Sequence, residues 1–109
     1  MESEKLNNEM RKGLLLLSVL QVISGKKVFV GDILKTLWDT EFSTQEGTLY
    51  PLLSRLKREQ YITYEWVESQ SGPPRKYYEL SDTGDQLRKD LLSYLHTMNG
   101  ALKKLGEKK

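Results

Sequence analysis

Two short stretches carry the polar chemistry of this chain: Thr48, Tyr50, Arg55, Lys57 and Arg58 in one, Arg75 and Lys76 in the other. Hydroxyls and cations grouped in this way donate hydrogen bonds to phosphate oxygens, and an arginine or lysine also reaches base edges. The rest of the sequence offers little reactive chemistry. Its 109 residues include no cysteine and a single histidine, His96, which excludes disulfides, thiolate metal sites and multi-imidazole cages. It also has no nucleophile paired with a base and no glycine-rich phosphate loop, so we expect a protein that is not an enzyme and needs no cofactor or metal.

Bulk charge does not identify a partner. With 17 basic and 15 acidic residues the formal net charge is +2, so any case for nucleic acid rests on local arrangement. Apolar residues make up 38% and charged residues 29%, a balance suited to one soluble domain around one core. The longest apolar run, from Gly13 to Ile23, is broken by Ser18 and Gln21. It is too short to cross a bilayer and lacks the flanks of a secretory signal, so a cytoplasmic protein with no membrane partner is expected.

These groups must be held by regular elements, and the apolar periodicity supplies them. Residues 4–24 repeat apolar side chains at three- and four-residue spacing, which predicts a helix buried on more than one side, with Gly25 as its left-handed cap. A second helix is expected over residues 31–40, with Ile33, Leu34, Leu37 and Trp38 on one face. Ser43-Thr44-Gln45-Glu46 has the form of a capping box and predicts the start of a third helix. Leu49, Leu52, Leu53 and Leu56 form its buried stripe, leaving Thr48, Tyr50, Pro51, Arg55 and Arg58 on other faces. Pro51 should loosen this helix by removing one hydrogen bond.

From Tyr61 to Val67 the period changes to two, which predicts a strand carrying Ile62, Tyr64 and Trp66 on one face. Residues 69–74 read as a long turn and residues 75–80 as the returning strand. Ser81 can cap a final helix, in which Leu87, Leu91, Tyr94, Met98, Ala101 and Leu105 make a heptad seam. A stripe this broad needs a partner, so Leu87, Leu91, Met98 and Leu105 are the expected dimerisation residues.

The order of helix, helix, helix, strand, strand, helix is that of a mainly α (α+β) winged helix-turn-helix with a two-stranded wing and a long C-terminal helix. Residues 1–81 would form the DNA-binding domain and residues 82–109 the dimerisation helix. Thr44, Gln45, Thr48, Tyr50, Pro51, Arg55 and Arg58 would then present the third helix to double-stranded DNA. Pro74, Arg75 and Lys76 would bring the wing to phosphate. The competing reading is a winged-helix module that presents the same surface to a protein, a use compatible with the near-neutral charge.

The run from Gly47 to Leu56, GTLYPLLSRL, and the later GPPRKYYELS from Gly72 to Ser81 with Gly84 resemble the PadR family of bacterial transcriptional regulators. The resemblance covers nearly the whole chain and places it with the compact members. It implies a homodimer whose last helix packs on the partner's first, and repression from a palindromic operator that a small molecule relieves. Two departures stand out: Val30-Gly31 where the family often has glycine then an aromatic, and Gln60 in place of the usual glycine after the recognition helix. Tyr94 occupies a seam position that leucine would fill better, beside the adaptable Leu95 and Met98. Together with Met10 of the first helix, these residues are expected to frame an inter-subunit pocket for a flat aromatic effector, as some compact family members do.

Overall fold

The second half of the first helix sets the core. In the computed structural model, which describes residues 1–107, the elements in order are α1 (Glu2–Ile23), α2 (Val30–Leu37), α3 (Glu46–Arg58), β1 (Ile62–Ser69), β2 (Gly72–Leu80) and α4 (Asp82–Leu105). Val19, Leu20, Val22 and Ile23 of α1 are enclosed by Ile33 and Leu37 of α2, Leu49, Leu53 and Leu56 of α3, Ile62 of β1 and Tyr78 of β2. Ser18 is buried among them, and its hydroxyl donates to the Leu15 carbonyl at 2.6 Å, so no polar atom is left unpaired there. Gly25 has φ +75° and turns the chain out of α1, as expected.

Two helix ends differ from the sequence reading. Helix α2 stops at Leu37, three residues earlier, because the Thr40 hydroxyl takes the Leu37 carbonyl at 2.7 Å and Asp39 turns through φ +64°. Trp38, expected on the apolar face, is therefore 68% exposed. Helix α3 begins at Glu46 with Gln45 as its cap, and no side chain bonds to the cap, so the capping box expected from Ser43 does not form. Phe42 packs against the core and holds residues 42–45 outside the helix. Pro51 is accommodated in an unbroken α3.

The hairpin is tighter than expected. Ser69 pairs with Gly72, so only Gln70 and Ser71 form the turn and Pro73-Pro74 lie within β2. Register slips between Val67 and Ser69, where Glu68 alone faces the two prolines. A bulge tolerates residues that cannot donate to the ladder. At the root of the wing Val28 exchanges two backbone bonds with Tyr78, at 3.0 and 2.7 Å, and ties the hairpin to the segment entering α2.

Ser81 caps α4 as expected, accepting from the Gly84 amide at 3.0 Å. Leu87 and Leu91 pack against the core, whereas Tyr94, Leu102 and Leu105 are 61%, 67% and 82% exposed. The free end of α4 and the exposed start of α1 give a radius of gyration of 16.5 Å, against roughly 13 Å for a compact chain of this length. Among the described residues no helix is long and apolar enough to cross a membrane. Lys108 and Lys109, which end the expected dimerisation segment, lie outside the described residues.

Candidate nucleic-acid interface

Helix α3 buries Leu49, Leu53 and Leu56 and, apart from the half-buried Leu52, exposes the residues between them. Gln45, Thr48, Tyr50, Pro51, Arg55 and Arg58 are exposed, while Thr44 is half-buried. Arg55, Lys57 and Arg58 occupy the last turn, where the helix dipole favours cations. Arg55 is held by Glu59, Nε to Oε2 at 3.3 Å, an exposed i,i+4 pair that a phosphate or base would have to displace. Arg58 forms no ion pair among the described residues.

The wing lies beside this helix. Tyr50, Leu53, Lys57, Arg58, Tyr64, Lys76 and Tyr78 line one groove of about 300 Å³. An adjoining groove of about 330 Å³ shares Tyr50, Lys76 and Tyr78 and adds Phe29, Trp66, Pro74 and Arg75. Tyr50 thus stands where helix and wing meet, 48% exposed, as expected of an aromatic off the leucine stripe. Of the two adjacent tyrosines in β2, Tyr78 is buried and Tyr77 half-buried. Burial pushes the Tyr78 phenol above its ordinary pKa, helped by the nearby Tyr50 and Tyr64.

Thr44 and Thr48 face elsewhere. They line a shallow groove of about 210 Å³ with Asn8, Arg11 and Lys12 of α1, cations that sequence reasoning had not associated with the recognition helix. Sequence reasoning also missed the aromatic surroundings of the wing cations. Lys76 Nζ lies 4.4 Å from the Tyr64 ring centre and 5.4 Å from that of Trp66, and Arg75 Cζ lies 4.4 Å from that of Phe29. A two-residue turn by itself would set Trp66 opposite Arg75; the extra residue of the bulge moves it directly across from Lys76, so the pairing shows only in the register.

The profile of the Transcriptional regulator PadR-like family matches residues 19–90, which include α2, α3 and the whole wing. The chain belongs to that family. A PadR-like transcription factor of Bacteroides fragilis is 35% identical, with a TM-score of 0.80 over 94% of this chain and 99% of that one. A PadR family regulator of Eggerthella lenta is 29% identical, with a TM-score of 0.86 over 98% and 94%. Bacillus subtilis PadR in complex with operator DNA is 26% identical, with a TM-score of 0.67 over 72% of this chain and 46% of that one. Comparison with curated proteins gives no match.

Gln60, just after α3, adopts φ +67°. A side chain at that angle is strained, yet the residue is tied down: its carbonyl accepts from the Ser81 hydroxyl at 2.7 Å and the Thr83 hydroxyl at 3.2 Å. The exit of α3 is in this way bonded to the start of α4. The other expected site, the effector pocket, is not assembled within one chain. Met10 lines a groove with Leu14, Glu41 and Phe42, and Tyr94, Leu95 and Met98 lie along α4 away from it.

Proposed function

We propose that this PadR-family chain is a cytoplasmic, homodimeric repressor that binds a palindromic operator and is released by a small aromatic molecule. The observation that carries the reading is the meeting of the basic end of α3 and the wing cations along two adjoining grooves that share Tyr50 and Lys76. Thr44, Gln45, Thr48, Tyr50, Pro51, Arg55 and Arg58 engage the major groove and its flanking phosphates. Pro74, Arg75 and Lys76 follow the backbone. The operator complex of Bacillus subtilis PadR supports the same use of the shared fold.

Residues 1–81 read DNA and residues 82–109 dimerise. Leu6, Met10, Tyr94, Met98, Leu102 and Leu105 are exposed in a single chain, and a second copy covers them by laying its α4 along α1. Leu87 and Leu91 serve two packings, supporting their own core while extending the seam. Between the subunits Tyr94, Leu95 and Met98, with Met10 of the partner subunit, hold the planar effector. A ligand that favours the DNA-free dimer lowers DNA affinity by the factor with which DNA lowers its own.

Selection from a random duplex pool tests the proposal. An enriched palindrome is the expected result; a chain that enriches no duplex is instead a winged-helix module for a protein partner.

A further inference from the structure

Several cations of this protein are held in one of two ways. Arg55 and Lys27 each lie against a carboxylate, Glu59 at 3.3 Å and Glu65 at 2.8 Å. Arg75 and Lys76 have no carboxylate within ion-pair distance among the described residues and rest on aromatic rings instead. The difference matters for binding a polyanion. A carboxylate orients a cation but cancels its charge, and it must be displaced before phosphate can enter. A ring face orients the cation by its quadrupole and leaves the charge whole.

The rings are themselves braced. Tyr64 and Trp66 project from the same face of β1 and meet edge to face, with centroids 6.4 Å apart and planes at 89°. Trp66 is the direct cross-strand partner of Lys76, and Tyr64 is that of Tyr78, whose ring lies 5.8 Å away. On the other side of the hairpin, Phe29 packs against Tyr77 at 5.6 Å and carries the Arg75 guanidinium. Phe29 precedes α2 and follows Val28, the residue bonded to Tyr78. The Arg75 platform therefore belongs to the helical body, and the Lys76 platform to the wing. Trp66 is 63% exposed, a placement that burial of apolar surface does not explain.

We propose that Phe29, Tyr64 and Trp66 are positioning residues for nucleic-acid binding, whose ring faces hold Arg75 and Lys76 extended and un-neutralised where the wing meets phosphate. The inference rests on the DNA-binding reading above and adds to it the residues that prepare the wing. Ordering a long cationic side chain costs free energy on binding, and a chain that has already ordered it loses less. Removing the platform should cost about threefold in affinity per cation.

The test compares wild type with Trp66→Leu, Trp66→Phe, Lys76→Ala and the double variant Trp66→Leu/Lys76→Ala, each titrated with the selected duplex at two salt concentrations. Free-protein NMR also records the ring-current shift of the Lys76 ε protons. Trp66→Leu should weaken binding about threefold without altering the salt slope, since no phosphate contact is lost. Trp66→Phe should restore affinity, and in the Lys76→Ala background Trp66→Leu should have no further effect. The Lys76 ε protons should lie upfield in wild type and return toward their ordinary position in Trp66→Leu.

An undiminished loss in the Lys76→Ala background would overturn the proposal by showing that Trp66 touches DNA itself. Unchanged affinity in Trp66→Leu, or a Lys76 without an upfield shift, would overturn it as well. A wild type that shows the shift yet binds no duplex would overturn the DNA-binding reading and this role with it. The two failures are therefore told apart by the wild-type titration.

Discussion

Helix α4 sits on bare backbone at Gly84, and replacing that glycine by alanine tests how the helix is seated. A Cβ built there would lie 1.9 Å from the Tyr61 carbonyl oxygen and 2.9 Å from its carbon. A relaxed carbon–oxygen contact is about 3.3 Å, so the two segments must part by roughly 1.4 Å, and neither obstacle is a side chain that could swing away. That displacement strains three bonds: Ser81 amide to Tyr61 carbonyl at 3.1 Å, and the Ser81 and Thr83 hydroxyls to the Gln60 carbonyl. At about 1 kcal/mol each, with about 1–3 kcal/mol for overpacking, the cost is roughly 4–6 kcal/mol. Better helix propensity returns about 1 kcal/mol, and relaxation of the junction recovers part of the remainder. We expect Gly84→Ala to lose about 3 kcal/mol, a fall in melting temperature on the order of 10–20 °C, measured by circular dichroism at fixed protein concentration. An unchanged or raised melting temperature would refute the seating of α4 on Tyr61.

Three further outcomes are expected. Gln60→Gly relieves the left-handed strain at φ +67° and should stabilise the fold by up to about 1 kcal/mol in chemical denaturation, with duplex affinity unchanged; destabilisation would show that the glutamine side chain contributes more than its backbone costs. Met98→Asp places a charge on the exposed stretch of α4, so sedimentation should show a folded monomer with weakened operator binding; an intact dimer would move the interface elsewhere. Hydrogen bonds from Arg88 and Lys89 hold the Asp85 carboxyl below its ordinary pKa of 3.8, so these bonds contribute stability above the unfolded-state value and lose it as pH falls through the folded-state one. Carboxyl NMR should find that low midpoint and see it rise in Arg88→Ala, and a midpoint indifferent to Arg88 would contradict the pairing.

How much of this was legible in the sequence depended on whether the signal was local. The leucine stripe of α3, the Ser81 cap and the period-two alternation of Tyr64 and Trp66 are written within a turn or two of chain, and each appears where expected. The last turn of α2 and the start of α3 were misread, the one because a neighbouring hydroxyl competes with the helix, the other because tertiary packing decides it. Phe42 docks on the core and delays α3, and the Thr40 hydroxyl competes for the last carbonyl of α2. The proline pair misled for a related reason: Pro73-Pro74 has turn chemistry, but opposite a single Glu68 the same residues suit a bulge within the strand.

The candidate site follows the same division. That Arg75 and Lys76 lie on a wing was readable from order and spacing, but what holds each of them was not, because Phe29 is distant in sequence and Trp66 becomes the neighbour of Lys76 only once the register is known. The consequence reaches beyond the wing. The Gln60 carbonyl receives the first hydroxyls of α4, and Val28 joins the wing to the chain leaving α1. The helix proposed to dimerise is thus bonded to the exit of α3, the helix proposed to read DNA, and the wing is bonded to the segment between α1 and α2. Because Leu87 and Leu91 also seat α4 on the core, a shift of that helix would disturb the Gln60–Ser81 junction and the leucine packing together.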